Sequence, residues 1–345
     1  MNVANVRARS HIIRLIRRWF DEHGFEEMHT PRLVGLPGQE PHLEPFETEV
    51  GESAVLSPQS SVRKSAALIT SPEYAMKRLL AEGLDRIYDL GPCFRNGEPW
   101  DGTHDPEFLL LEWYRRDAGI EDLMRDTEEM VRWVGGEVPG TEYRVPSTPF
   151  RRMTVSEAWK TYAGIDLEPL LGDREAMADA CRSKRQTVAD GDTWDDLFFK
   201  IFLTHIEPHL GSDSPPYEGG ARGGSGPTFL HRYPLSMAAL ARPCADDPRF
   251  ADRIEFYAGG LELANGFAEL ADPIEQRKRF EEERALRQKL GKKTWSLDER
   301  FLAALPKMGN AAGIAFGVDR FVMWLTGASS INDILPFPAR ERFGD

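Results

Sequence analysis

Three glutamates and an asparagine recur at short intervals in one segment of the chain. Glu255, Glu262 and Glu269 lie seven residues apart, and Asn265 falls between the last two. In one continuous strand these carboxylates would alternate between faces, so a shared cleft requires turns, which glycine permits. The glycines available for such turns are Gly259, Gly260 and Gly266. Carboxylate oxygens suit both a metal with bound phosphates and a cationic substrate. The alternative is an acidic strand edge that only faces solvent.

A second group of candidate residues surrounds a predicted β-hairpin. Residues 87–90 and 108–114 have the composition of strands, and the Gly, Pro and Asp between them indicate a loop. Arg95 lies at one base of this hairpin, and Phe108 begins its second strand. A guanidinium presents a planar fork to phosphate oxygens, and a phenylalanine ring presents a face to a purine. Alone, such an arginine is also typical of a surface salt bridge.

A third segment runs from Gly313 to Leu325. Small residues at alternate positions, including Ala315 and Gly317, let a backbone approach a ligand closely. A helix with an apolar stripe is predicted to begin at Asp319, so that Arg320 faces out of its first turn. A glycine-rich strand-to-helix connection without a ligand is the simpler alternative.

In chain order, the three segments resemble motif 2, the substrate segment and motif 3 of the class II aminoacyl-tRNA synthetases, with the closest resemblance to the lysyl-tRNA synthetase subgroup. Motif 1 matches a predicted helix with the apolar stripe Ile12, Ile16, Trp19 and Phe20, then Gly24, a strand over 25–29 and Pro31. The resemblance covers about residues 6–338. It implies an α/β (α+β) fold, namely a class II catalytic domain with an antiparallel sheet flanked by helices.

Within that subgroup the chain resembles the truncated elongation factor P (R)-β-lysine ligases, notably over 70–80 and 260–267. Lysyl-tRNA synthetases carry an N-terminal barrel that reads the anticodon, whereas motif 1 in this chain begins at the first residues. We therefore expect a single domain over 1–345 without an anticodon-binding domain. The resemblance implies that ATP and Mg²⁺ are used to activate (R)-β-lysine or lysine as an aminoacyl-adenylate. It also implies transfer to a lysine side chain of elongation factor P, and a homodimer built through motif 1.

The resemblance also assigns roles to individual positions. Arg95 and Arg320 would be catalytic, through contacts with phosphates, and Glu269 with Tyr114 would hold the lysine ε-ammonium. The positions implied for ATP binding are Arg95, Asn96, Glu98, His104, Asp105, Phe108, Glu262, Leu263, Gly317 and Arg320. Those implied for the amino-acid substrate are Ser71, Glu73, Glu112, Tyr114, Asn265, Glu269 and Ala315. Those implied for Mg²⁺ are Glu255 and Glu262.

Three features depart from the lysyl-tRNA synthetase pattern. Gly97 is interposed in the usual Phe-Arg-Asn-Glu, which shifts Glu98 by one residue. Asp105 replaces the Asn of the usual His-Asn-Pro-Glu, so a negative charge lies near the expected triphosphate unless Mg²⁺ or an arginine compensates. Ala264 and Ala315 stand where those enzymes usually have glycine, and both replacements resemble the β-lysine branch.

The composition indicates a globular chain and disfavours an extensive tRNA-binding surface. With 345 residues and 41% hydrophobic content, the chain can bury one large core. No run approaches the roughly 20 apolar residues of a membrane span, and no apolar signal region is present, so we expect a cytoplasmic protein. The net charge of −13 and the lack of a basic patch make extensive tRNA binding unexpected. Cys93, Cys181 and Cys244 are too scattered to indicate a disulfide framework or a metal cluster.

Between the motifs, residues of about 148–210 are predicted to form a mostly helical insertion, and about 211–227 a flexible loop. The aromatic residues expected in the core of the insertion are Trp159, Phe198, Phe199 and Phe202. Helices are expected over 121–134 and 275–290, and a polar loop over 57–64.

Two other functions fit parts of the sequence. One is a free-standing lysyl-tRNA synthetase-like ligase that acts on tRNA or a small acceptor. The other is a non-catalytic paralogue that senses an amino acid. Such a paralogue is expected to lose the phosphate-binding arginines or the metal-binding acids, and this chain retains both.

Overall fold

The structure is a computed structural model that describes residues 2–52, 62–139, 145–212 and 226–344. The chain divides into two compact units. Unit 1 comprises Met1–Asp117 and Leu270–Asp345, and unit 2 comprises Ala118–Glu269. The single domain expected from the sequence stays a prediction, because compactness alone does not show whether a unit folds by itself.

The described residues form α-helices and strands in both units. The helices are α1 Val3–Glu22, α2 Glu73–Ala81, α3 Ile120–Glu137, α4 Val155–Ala158, α5 Arg174–Ser183, α6 Trp194–Ile201, α7 Pro273–Lys289, α8 Glu299–Met308, α9 Val318–Thr326 and α10 Ala339–Phe343. The strands are β1 Glu26–Glu27, β2 Leu33–Val34, β3 Glu47–Glu52, β4 Val62–Leu68, β5 Arg86–Phe94, β6 Glu107–Arg116, β7 Arg151–Thr154, β8 Thr228–Pro234, β9 Phe250–Ala258, β10 Leu261–Ala268 and β11 Ala311–Gly317. Short π and 3₁₀ segments follow α4 and α6.

Helix α1 of unit 1 is the helix predicted for motif 1. The side chain of Asn2 caps it by accepting hydrogen bonds from the N–H groups of Ala4 and Asn5. Its apolar stripe is buried and consists of Ile12, Leu15, Ile16, Trp19 and Phe20. The helix packs against α9. Gly24 follows it with a φ of 73°, a left-handed conformation that glycine adopts without strain.

The main sheet of unit 1 positions the predicted motif 2 residues. Strands β5 and β6 form the expected antiparallel hairpin, β11 pairs antiparallel with β6, and β1 pairs parallel with β5. A smaller antiparallel sheet has the order β2-β4-β3. Of the polar loop expected over 57–64, residues 57–61 lie outside the described residues. Residues 62–64 belong to β4, so the loop prediction was wrong there.

Unit 2 contains strands in the order β10-β9-β8-β7, antiparallel except for the parallel pair of β7 and β8. The hairpin of β9 and β10 turns at Gly259 and Gly260, whose φ values are 61° and 74°. This confirms two of the three predicted turn glycines. Gly266 makes no turn: it pairs with Ile254 inside the ladder, so that prediction was wrong.

The insertion in unit 2 is mostly helical, as predicted, after the short strand β7. Trp159, Phe198 and Phe202 lie in its buried cluster, which confirms three of the four predicted core aromatics. Phe199 is 41% exposed, so its assignment to the core was wrong. Successive helical residues point about 100° apart, so Phe198 and Phe199 cannot both face the core. Most of the loop expected over 211–227, namely 213–225, lies outside the described residues.

The predicted fold class is confirmed within each unit: mainly antiparallel strands are flanked by helices. The two parallel pairs are β1 with β5 and β7 with β8. Strands β1 and β7 each lie at one end of their own unit's strand order. Cys93, Cys181 and Cys244 are buried thiols. Among the described helices none is both long and apolar enough to span a membrane.

One glycine of unit 2 is expected to be intolerant of any side chain. Gly211 has a φ of 63°, and an added Cβ would lie 2.5 Å from the carbonyl carbon of Tyr257 in β9. Gly172 has a φ of 73° and open space around it. We expect Gly172→Ala to cost about 1 kcal/mol of unfolding free energy from its left-handed backbone alone. Gly211→Ala should cost about 1 to 3 kcal/mol more because of the overlap. Urea unfolding of both variants measures this, and equal losses would contradict the predicted overlap.

Candidate active site

The predicted phosphate-binding arginine of motif 2 lies directly after β5. The backbone N–H of Arg95 donates to the carbonyl of Pro106 at 3.0 Å, which fixes the base of the hairpin. Its guanidinium lies 5.0 Å from the centre of the Phe108 ring, a cation–π distance. The buried Nε of Arg95 has no hydrogen-bond partner among the described residues. A donor left in this state is suited to an incoming oxygen ligand.

The interposed Gly97 forms a left-handed turn after Arg95. Its φ is 75°, and its N–H donates to Oδ1 of the exposed Asn96 at 2.9 Å. The backbone N–H of Asn96 donates to the carbonyl of Glu44 at 2.7 Å. The extra residue is thus accommodated in a tight turn, and Glu98 lies beyond it with a carboxylate oxygen 3.8 Å from Nε2 of His104.

His104 and Arg320 are in direct contact. Nη2 of Arg320 donates to Nε2 of His104 at 2.7 Å, and Nε of Arg320 reaches the carbonyl of Thr103 at 3.4 Å. Because Nε2 accepts this bond, Nδ1 carries the proton, and it donates to Asp101 at 3.1 Å. Gly317 ends β11 and caps α9, which brings Arg320 into this position.

Two neighbouring carboxylates are buried and serve the framework. Asp105 is 2% exposed and accepts from Arg342 and from the backbone N–H of Ala339. Asp319, also 2% exposed, accepts from Nε of Arg9 at 2.7 Å and from the N–H of Leu109 at 2.8 Å. Burial raises the pKa of Asp319, whereas the charge of Arg9 opposes this.

A separate group in unit 1 is suited to an ammonium ion. Glu112 is 1% exposed on β6, and its two oxygens accept from Ser71 at 2.6 Å and from the Tyr114 hydroxyl at 2.8 Å. Ala315 pairs with Glu112 across β11 and β6. Burial, followed by the charge of Glu73, raises the pKa of Glu112 to about 8, while the two hydrogen bonds act in the opposite direction. A cation beside Glu112 would relieve this cost.

Further carboxylates lie close to that group. Glu73 opens α2, where its backbone N–H donates to Ser71, and its side chain pairs with the buried Lys77. Glu40 shares a small cavity of about 50 Å³ with Ser71 and Glu73. Burial raises the pKa of Glu40, and Glu73 adds to the effect, while Arg95 lowers it. Burial and then Glu40 also raise the pKa of Glu283, to about 8. Glu40 and Glu73 are the charged residues in the described lining of the cavity, and both are acidic.

Glu255 of unit 2 lies at the centre of a hydrogen-bonded network. One of its oxygens accepts from Arg253 at 2.6 Å, and the other accepts from the hydroxyls of Tyr233 and Tyr257. Nε of Arg253 donates to Oδ1 of Asn265 at 3.1 Å, and Asn265 lies opposite Glu255 in the β9–β10 ladder. Arg253 thus orients two of the predicted site residues at once.

The other predicted residues of unit 2 lie on the same hairpin. Glu262 pairs with Tyr257 across the two strands, and a bulge shifts the register between Glu262 and Ala264. Leu263 is buried within this bulge. Glu269 follows β10, forms a bridge with Ala241 and is 2% exposed.

The donor chemistry of this hairpin is compatible with Mg²⁺. A carboxylate has about four lone-pair positions, so the oxygen of Glu255 that accepts from Arg253 keeps one for a metal. Both Glu255 and Glu262 act on the pKa of Tyr233, which burial and then these charges raise. Within the described ranges, no group of three or more His, Cys, Asp or Glu side chains could enclose a metal. Two carboxylates together with nucleotide phosphates are the usual arrangement for Mg²⁺.

Comparison with known proteins identifies the family. The family model described as tRNA synthetases class II (D, K and N) matches residues 2–341. The chain belongs to this family. The family assignment agrees with the resemblance of the three motifs and with the strand pairing found in each unit.

Several curated relatives share one printed name, elongation factor P–(R)-β-lysine ligase. The protein of that name from Proteus mirabilis (strain HI4320) is 35% identical over 340 residues, which are 98% of this chain and 95% of the relative. The one from Haemophilus influenzae (strain PittGG) is 36% identical over 337 residues, 97% and 95% of the two chains. The one from Hamiltonella defensa is 34% identical over 342 residues, 98% and 96% of the two chains.

Sequence reasoning missed several residues that support the site. The sequence contained a local pattern for two of them. Arg253 lies two residues before Glu255 on a strand and so shares its face. Lys77 lies four residues after Glu73 on a helix, which also places the two side chains together. Arg342 had no such pattern, because 237 residues separate it from Asp105. No local pattern in the sequence indicated that Glu40 shares a cavity with Ser71 and Glu73.

Glu112 should make the stability of the protein depend on pH. Its pKa of about 8 in the folded protein exceeds that of a glutamate in an unfolded chain, about 4.3. The stability from its protonated form is therefore complete below pH 4.3 and is lost as the pH rises through 8. Relative to Glu112→Gln, the wild type should lose up to about 1.4 kcal/mol per pH unit between pH 5 and 8.

Urea unfolding of both proteins at several pH values measures this slope. Glu281→Gln, which removes the same charge from the exposed part of α7, is the control. Parallel curves for the wild type and Glu112→Gln between pH 5 and 8 would contradict the raised pKa.

Proposed function

We propose that the protein activates (R)-β-lysine, or lysine, with ATP and transfers it to a lysine side chain of elongation factor P. The observation that carries this proposal is the arrangement of charge in unit 1. Arg95 and Arg320 are suited to phosphates and a carboxylate, and Glu112 with Tyr114 is suited to an ammonium. Phe108 and Glu112 lie four residues apart on β6, on the order of 13 Å along the strand. A diamino acid activated at its carboxylate needs both kinds of group.

The reaction has two steps. In the first, a carboxylate oxygen of the amino acid attacks the α-phosphorus of ATP, a P–O bond breaks and pyrophosphate leaves. In the second, the neutral ε-amine of the acceptor lysine attacks the carbonyl carbon of the mixed anhydride, AMP leaves and the amine loses a proton. Negative charge on the phosphate oxygens must be stabilised throughout, so placed cations contribute most to catalysis.

The residues of unit 1 have separate roles in this scheme. Arg95 contacts the α-phosphate and the substrate carboxylate, and its contact with Phe108 keeps the guanidinium in place beside the adenine. Arg320 lies over the nucleotide and reaches its terminal phosphate, where His104 orients it. Asn96, Glu98 and Gly317 contribute to the nucleotide site, and Ser71 with Glu73 receives a substrate amino group.

The residues of unit 2 complete the proposed assignment. Glu255 and Glu262 hold Mg²⁺, which, when bound, neutralises charge on the phosphate oxygens. Arg253 and the tyrosines hold Glu255 in the orientation of a ligand. Leu263 contacts the nucleotide, Asn265 the substrate carboxylate, and Glu269 the ε-ammonium. A buried carboxylate and a phenol hydroxyl favour a primary ammonium over a neutral side chain.

We further propose a cytoplasmic homodimer that uses motif 1. The apolar stripe of α1 is already buried within unit 1. The interface would therefore use other surfaces of motif 1. The mass of the protein in solution, measured by light scattering, tests this proposal.

The intact mass of elongation factor P tests the proposed reaction. We expect incubation with the protein, ATP, Mg²⁺ and (R)-β-lysine to add one lysyl group to the factor. Arg320→Ala should abolish amino-acid-dependent pyrophosphate exchange and this addition, because it removes a charge-assisted contact, while the protein stays folded by circular dichroism. An unchanged mass together with aminoacylation of total tRNA would establish the tRNA ligase instead. Exchange at the wild-type rate in Arg320→Ala would remove that residue from the mechanism.

Ala315 should influence which lysine isomer is preferred. It pairs with Glu112, so its methyl group lies beside the residue proposed for the ammonium, and it packs against the same buried cluster as Phe108 does. One methyl group in a pocket changes selectivity by about 1 to 3 kcal/mol. We expect kcat/KM to be higher for β-lysine than for α-lysine, and Ala315→Gly to narrow or reverse the ratio. If the substitution leaves the ratio unchanged, Ala315 does not determine the isomer preference. A wild-type preference for α-lysine would contradict the β-lysine assignment.

A further inference from the structure

The C-terminal helix α10 holds the loop that carries His104. Nη2 of Arg342 donates to Oδ1 of Asp105 at 2.6 Å, and Nη1 of Arg342 donates to Glu107 at 2.7 Å. The other oxygen of Asp105 accepts from the first N–H of the helix, at Ala339, at 2.7 Å. One arginine therefore forms a fork across two carboxylates of the loop.

The same helix also holds the beginning of this loop. Nη2 of Arg340 donates to the carbonyl of Trp100 at 2.7 Å, and the rings of Trp100 and Phe343 stack with centres 6.2 Å apart. Contacts from α10 thus lie at both ends of residues 100–107. Between them, Ile331 donates its N–H to the carbonyl of Gly102 at 2.7 Å, which adds a third attachment.

The loop fixed in this way determines the positions of both candidate catalytic arginines. His104 within it accepts the hydrogen bond from Arg320, and the carbonyl of Thr103 faces the same guanidinium. The carbonyl of Pro106 accepts the N–H of Arg95. A displacement of the loop would therefore be transmitted to Arg320 and Arg95 together.

The charge of Asp105 makes this attachment necessary. The side chain of Asp105 is only 1% exposed, so water cannot solvate its negative charge. Arg342 is its ion-pair partner, and removal of one member of a buried pair leaves an uncompensated charge. An asparagine at the same place would require no counter-ion, since its amide is neutral.

We propose that Arg342 is a positioning residue for nucleotide binding: it neutralises Asp105 and fixes residues 100–107, and thereby sets His104 and Arg320. This inference rests on the proposed function, because the ligand of that loop is taken to be ATP. It adds that nucleotide binding depends on helix α10, because Asp105 needs Arg342 from that helix as its counter-ion.

A double-mutant cycle tests the proposal. The four proteins are the wild type, Arg342→Gln, Asp105→Asn and the double variant, and the Kd for Mg²⁺–ATP is measured by calorimetry. We expect Arg342→Gln to raise the Kd at least tenfold in the wild-type background and less than threefold in the Asp105→Asn background, where no buried charge is left unpaired. Arg277→Gln is the matched control, since it removes an exposed arginine fork to Glu299 and changes the net charge equally. It should leave the Kd within twofold of the wild type.

Kinetics separate positioning from a general loss of folded protein. In pyrophosphate exchange, Arg342→Gln should raise the KM for ATP, and Asp105→Asn should suppress that rise; a purely structural role would lower kcat without changing KM. Where Arg342→Gln does not fold, Arg342→Lys, which keeps the charge but loses the fork, should show a smaller rise that Asp105→Asn again suppresses.

Equal effects of the Arg342 substitution in both backgrounds, or no effect in either, would overturn the inference. Failure of the proposed function has a different signature. In that case the wild type would bind Mg²⁺–ATP but show no exchange with any lysine isomer, and the binding cycle would still decide the role of Arg342.

Discussion

Buried carboxylates that must be neutralised or hydrogen-bonded are the constraint on which the rest of the structure depends. Removal of a carboxylate from water costs several kcal/mol unless donors replace the solvent. In unit 1, Asp319 is satisfied by Arg9 from α1 and by a backbone N–H of β6, so one side chain connects two helices and a strand. Asp89 of β5 is fully buried and is satisfied by Thr30 and Arg32. These pairs fix the strands that carry the candidate catalytic residues.

The same constraint acts on the candidate site residues of each unit. The donors to Glu255 hold the carboxylate in one orientation while leaving a lone pair for a cation. In the described contacts, Glu112 accepts hydrogen bonds from two hydroxyl groups and from no arginine or lysine. Its burial therefore raises its pKa. A cation that binds beside Glu112 would offset the free-energy cost of burying its carboxylate. Glu112 thus differs from Asp89 and Asp319, whose positive partners Arg32 and Arg9 belong to the protein.

The sequence predicted the elements whose signals are local. The stripe of α1, the β5–β6 hairpin, the turn at Gly259 and Gly260 and the start of the helix near Asp319 depend on neighbouring residues, and the structure contains them. Motif spacing also indicated the family. The errors arise where burial depends on distant packing, as for the exposed Phe199, or where a glycine lies within a strand ladder, as Gly266 does. The partner of Asp105 could not be predicted, because no periodic pattern relates two residues so far apart in the chain. The roles of the individual site residues remain predictions.

The burial of Glu112 in unit 1 has a consequence for the energetics of substrate recognition. With a pKa of about 8, Glu112 is largely protonated at neutral pH. An ammonium group that settles beside it would favour the carboxylate and expel a proton into the solvent. Association would then carry the ionisation heat of whichever buffer takes up that proton, and recognition of the diamino acid would grow stronger as the medium becomes more alkaline, until the ammonium itself begins to lose its charge.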